Sequence, residues 1–150
     1  MSIGSDLGGR PLRGRGRVLL ALWSLLLLAG FTLALCLPPD PQGYGTHQQL
    51  GLPPCTFLYV FNIPCPSCGM TTCFAHFVRG QWVAAFRANA AGVLLACVCL
   101  VQIPWAVASA WTGRLLGLEQ PETVAIAVLL VLIAASLLNW CAKLGLLGGW

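Results

Sequence analysis

The stretch CPSCGMTTCFAH, Cys65 to His76, gathers three thiols and an imidazole into a short span of chain. Three kinds of chemistry use such residues at such spacing. A C-P-x-C-G turn has the shape of a zinc knuckle, because Gly69 permits a tight backbone after the second thiolate while both sulfurs face one ion. Cys73 and His76 stand three apart on a helical pattern and share a face. Cys65, Cys68, Cys73 and His76 can therefore close a C-x2-C-x4-C-x2-H zinc site, a closed four-ligand arrangement that is structural in kind. The same C-x-x-C spacing serves thiol–disulfide exchange, where the first thiolate is stabilised by a helix N-terminus or a nearby cation. Here Gly69 intervenes before the helix, and no Lys or Arg lies within ten residues of Cys65 or Cys68. The third possibility is a staple: Cys65, Pro66, Cys68, Gly69 and Thr71 shape a turn, as a disulfide or as thiols, and do no further chemistry.

No catalytic set appears elsewhere. On the outer side of the membrane Asp40 is a lone carboxylate, and the chain has no G-x-S-x-G, phosphate loop or H-E-x-x-H. His47, in GYGTHQQLG, has no ligand partner at helical spacing and reads as a turn residue; a lone His76 beside a surface helix reads most simply as a polar-face residue.

The elements that must position these residues follow from composition. Hydrophobic side chains make up 58% of the chain and charged ones 8%, with a mean hydropathy of +0.83. A soluble domain carries about 25% charged residues, so this is an integral membrane protein. The formal net charge of +4 is concentrated in Arg10, Arg13, Arg15 and Arg17 ahead of the first apolar run, which argues against a nucleic-acid patch.

Three stretches reach the roughly 20 apolar residues that a bilayer crossing requires. They are residues 18–37, 89–110 and 124–144, the second with Pro104 expected to kink it. The first run is too long for a signal-peptide core, and Leu35 rather than a small residue precedes Cys36. By the positive-inside rule the basic arm 1–17 is cytoplasmic, the loop 38–88 extracytoplasmic, the loop 111–123 cytoplasmic and the tail 145–150 outside, in a plasma (inner) membrane. Arg114, Glu119 and Glu122 carry the charge of the inner loop. Cys55, Cys65, Cys68 and Cys73 thus fall in the outer loop, whereas Cys36, Cys97, Cys99 and Cys141 lie in or at the ends of spans as small hydrophobes.

Within the outer loop, Pro38 to Gly45 reads as turns, and the alternation of Phe57, Tyr59 and Phe61 suggests a short extended segment with an aromatic face. After Gly69 the pattern becomes helical. Thr71 or Thr72 is expected to cap, and Arg79-Gly80 closes the helix with a basic last turn and a C′ glycine. A second short helix through Trp82, Ala85 and Phe86 leads into the second span, so an interfacial helix pair is expected. Asn89, Gln102, Ser109, Ser136 and Asn139 are uncharged polar groups in or near the spans, which commonly bond helix to helix.

PCPSCGMTT at Pro64 to Thr72, RGQW at Arg79 to Trp82, AAF at Ala84 to Phe86, and Asn89 together resemble the signature of domain-of-unknown-function family 2752 over roughly residues 51–100. The resemblance implies a small multi-pass membrane protein and implies no reaction. The chain departs from the family pattern at Ala90, where Pro is usual after the asparagine, and at Thr72, where Arg is common.

These readings converge on an all-α membrane protein with three transmembrane helices and a cysteine-bearing extracytoplasmic loop ending in interfacial helices. Its expected partners are the lipid bilayer and a membrane protein or a second copy of itself. The expected role is that of a non-enzymatic component whose loop docks a partner or the membrane surface; a zinc-binding or thiol-disulfide role for the CPSC motif is the alternative.

Overall fold

A computed structural model describes residues 9–118 and 120–145. Residues 1–8 of the N-terminal arm, Glu119 and residues 146–150 of the tail lie outside the described residues, and the expectations for them with it. The described chain is helical, without a strand. Three helices are long and apolar enough to cross a membrane: α1 (Gly14–Cys36), α5 (Ala90–Thr112) and α6 (Pro121–Lys143). Between α1 and α5 lie a 3-10 turn (Thr46–Leu50) and three short helices, α2 (Thr56–Phe61), α3 (Met70–Phe77) and α4 (Trp82–Ala88).

Pro104 sits inside α5, which continues through it to Thr112. The expectation of an extended aromatic segment is corrected. Residues 56–61 are α-helical, and Phe57 and Phe61, one turn apart, bring their rings to 4.9 Å between centroids. An i, i+4 aromatic pair satisfies the same residues that an alternating strand pattern would. Its exit is a left-handed Asn62, whose amide donates to the Leu58 carbonyl.

Contacts divide the chain into two compact units, each described by itself. The first comprises Met1–Gly30 and Val98–Leu129. Here Arg17 from the start of α1 donates through Nε to the Ala110 carbonyl (2.8 Å) and through a terminal nitrogen to that of Trp111 (3.0 Å). These are last-turn carbonyls of α5, where a cation meets the negative end of the helix dipole. Trp23 Nε1 donates to Gln102 Oε1 at 3.1 Å, so a polar residue of α5 bonds to α1. The fully buried Ser109 accepts the Leu116 amide, and Trp105 Nε1 donates to the Leu116 carbonyl, folding the loop back on α5.

The second unit comprises Phe31–Cys97 and Leu130–Trp150. Its apolar centre is Cys73, Phe77, Ala85, Ala88 and Ala96, with Phe31, Phe74 and Val93 against it. Small side chains from α4 and α5 admit the two phenylalanines of α3, a close packing that alanines make possible. Arg79 locks α3 to α1: its guanidinium donates to the carbonyls of Ala34 (3.0 Å), Leu35 (2.7 Å) and Ala75 (2.6 Å). One side chain thereby caps the C-terminal turns of both helices.

Candidate functional site

The Cys65–Gly69 turn is built from its carbonyl oxygens outward. Cys68 N donates to the Cys65 carbonyl (2.9 Å) and Met70 N to the Ser67 carbonyl (3.1 Å), a tight reversal that ends in Gly69 at φ +84°. No other residue fits there, since an added Cβ would fall 2.5 Å from the Ala88 carbonyl oxygen and 2.7 Å from that of Gly43. Gly69 itself, not Thr71 or Thr72, is the N-cap of α3, without a side-chain cap bond. Thr72 is buried instead, its hydroxyl 2.8 Å from that of Thr46, which in turn accepts the Asp40 amide. Thr71 is exposed beside the cysteines.

The remaining carbonyls of the turn are taken by side chains from far along the chain. Trp140 Nε1 donates to the Pro64 carbonyl (2.6 Å), Ser136 Oγ to that of Pro66 (3.5 Å), and Lys143 Nζ to those of Cys68 (2.9 Å) and Ala88 (2.6 Å). Asn89, fully buried between α4 and α5, donates Nδ2 to the Cys68 carbonyl (3.1 Å) and accepts the Gly92 amide (2.9 Å) and Asn139 Nδ2 (3.3 Å). Asn139 Oδ1 accepts the Ala90 amide at 3.2 Å. Ser136, Asn139, Trp140 and Lys143 stand at i, i+3, i+4 and i+7, so one face of the end of α6 forms the clamp. That polar stripe is visible in the sequence at helical spacing, and it is the signal by which Lys143 could have been found. Sequence proximity found no cation for the cysteines; Lys143 reaches them from 75 positions away.

The thiols are graded by depth. All eight cysteines are thiols in this structure. Cys68 and Cys73 are buried, Cys65 and Cys55 partly exposed. Cys65 lines one cavity with Cys55 and Cys68 and feels the charge of both. Cys55 is thus the neighbour of the C-x-x-C pair. The Leu58 amide, at the start of α2, donates to the Cys55 sulfur and draws its pKa below the usual thiol value. Burial pushes the Cys65 and Cys68 thiols up; for Cys68 the positive Lys143 opposes that rise. Burial also pushes Cys73 up to about 12. Its sulfur packs so closely on Gly92 that a Cβ there would come within 2.9 Å.

The four residues of the expected zinc set part company. Cys73 points into the apolar centre, and His76 Nδ1 donates to Gln81 Oε1. Among the described residues no group of three or more His, Cys, Asp or Glu side chains is arranged to hold a metal ion. Two cavities adjoin the turn. One of about 330 Å³ is walled by Cys55, Cys65, Cys68, His47, Leu58 and Thr71, among others. A larger one, about 650 Å³, runs along Pro39 to Tyr44, His76, Arg87 and Lys143.

No curated protein and no solved structure matches the chain. Residues 55–103, the turn and its short helices included, match the model of the family described as Protein of unknown function (DUF2752).

Proposed function

We propose that this multi-pass membrane protein is a non-enzymatic membrane component whose region 38–88 docks on the lipid surface, with the Cys65–Gly69 turn as the scaffold that holds the docking helices in register. The observation that carries this reading is the exposure of large apolar side chains on the short helices. Tyr59 is 83% exposed on α2, and Trp82, Val83 and Phe86 are 58%, 68% and 62% exposed on α4. Helices of six and seven residues cannot cross a bilayer, and such side chains in water would be costly; at the headgroup level, aromatic rings are favourable. The turn fits a scaffold role because its bonds to α5 and α6 run through backbone carbonyls, which positions α3 and α4 whatever the cysteines do. The arginines at 10, 13, 15 and 17 support a cytoplasmic N-terminus and an extracytoplasmic docking region in a plasma (inner) membrane.

Trp82 reports on the docking directly. In vesicles containing brominated lipid, the protein should lose a quenchable share of its fluorescence on Trp82→Phe. Equal quenching of the two proteins would refute lipid docking and turn attention to a protein partner or a second copy of this chain.

A further inference from the structure

Beyond the scaffold role, we propose that Cys55, Cys65 and Cys68 form a thiol–disulfide exchange site in which Cys65 pairs alternately with Cys55 and Cys68, acting on a disulfide small enough to enter the adjoining cavity. Three observations converge on it. Cys65 feels the charge of both Cys55 and Cys68. They are graded from the partly exposed Cys55 to the buried Cys68. All three wall one cavity of about 330 Å³, at the lower end of the range of small-ligand sites, whose other walls include His47, Gln48 and Thr71. A mere turn needs two cysteines at most; the third, ten positions earlier at the head of α2, has no part in the carbonyl clamp.

The steps balance as ordinary exchange. The Cys55 thiolate attacks one sulfur of the incoming disulfide; a Cys55–substrate bond forms, and the other half leaves as a thiolate that takes up a proton. Cys65, losing its own proton, attacks the Cys55 sulfur and expels the second half as a thiol. Two protein thiols have then given two electrons and two protons to the substrate. Cys68 next attacks Cys65, transferring the bond to the inner pair and returning Cys55 to a thiol, with no net oxidation in that step. Cys65 is common to both pairings, and all three thiols line the same cavity.

Cystamine, a disulfide small enough for the cavity, serves as the probe. The reduced full-length chain in detergent is exposed to it, quenched in acid, alkylated and mapped by mass spectrometry without reduction. Both Cys55–Cys65 and Cys65–Cys68 linkages are expected in the wild type. Cys68→Ser should retain the first alone, and Cys55→Ser, which lacks the attacking thiolate, should form neither in the time the wild type forms both. In Cys65→Ser, cysteamine should remain on Cys55 with a lifetime on the order of 100-fold longer, because a bimolecular attack replaces an intramolecular one. A wild-type map with Cys55 always reduced, or joined to Cys73, overturns the proposal, as does an unchanged cysteamine lifetime in Cys65→Ser. The wild-type map needs no variant to fold.

Discussion

Lys143→Met isolates the clamp on the cysteine turn. The methionine keeps much of the apolar stem but removes an ammonium that donates to the Cys68 and Ala88 carbonyls at 2.9 and 2.6 Å. The Cys68 oxygen retains Asn89 as a donor at 3.1 Å, whereas the Ala88 oxygen loses the Lys143 donor. A hydrogen bond to a charged group contributes about 1.5–3 kcal/mol. Removing the partly buried charge also relieves its desolvation, so a net loss of about 2 kcal/mol is expected, concentrated on the turn. That corresponds to roughly 30-fold faster local opening. Hydrogen exchange of the protein in nanodiscs, read by mass spectrometry, checks it. The amides of Cys68, Met70 and Cys73, bonded to the carbonyls of Cys65, Ser67 and Gly69, should exchange about 30-fold faster. Acceleration confined to the end of α6, with peptides over 65–73 unchanged, would refute the clamp.

Other consequences are as direct. Gly69→Ala should lower thermal stability by about 2 kcal/mol or more, since it combines a left-handed backbone with two carbonyl clashes; Gly80→Ala, at φ +71° in open space, should cost only about 1 kcal/mol. A double-mutant cycle of Thr46→Val and Thr72→Val should return a coupling of about 1 kcal/mol for their buried hydroxyl pair, and zero coupling would deny that bond. Alkylation of the native reduced protein with iodoacetamide at pH 8 should modify Cys55 first and Cys73 last, because an amide lowers the pKa of the first and burial raises that of the second. The Cys73 shift carries a sign for stability: its thiol pKa rises on folding from 9.0 to about 12, so its contribution is intact below pH 9.0 and declines as pH climbs to about 12. Cys73→Ala should flatten that alkaline decline in a melting series; an unchanged decline would contradict the assignment.

The spans were legible because lipid imposes length and composition, which Val18 to Leu37 and its two counterparts announce without any alignment. The helices α3 and α4 were legible for a related reason: Gly80 and the spacing of Phe74, Phe77 and Val78 are local signals. What stayed hidden is long-range. Aromatic alternation in Phe57, Tyr59 and Phe61 is also compatible with a single helical turn, and only packing decides between them. The cap at α3 passed to Gly69 because Thr72 is engaged by Thr46, a partner 26 positions away. The cation near Cys68 belongs to the end of the third span, and the neighbour of Cys65 is Cys55 on the far side of α2. A chain of eight cysteines permits many such neighbours, and spacing alone does not choose.

The docking of the short helices on lipid is tested most directly by a diazirine-bearing phospholipid, crosslinked to the unmodified protein in nanodiscs and mapped by mass spectrometry. The account predicts adducts on Phe57 to Phe61 and on Trp82 to Phe86 in addition to those along α1, α5 and α6. Adducts confined to the three long helices, with both short helices unlabelled, would contradict it.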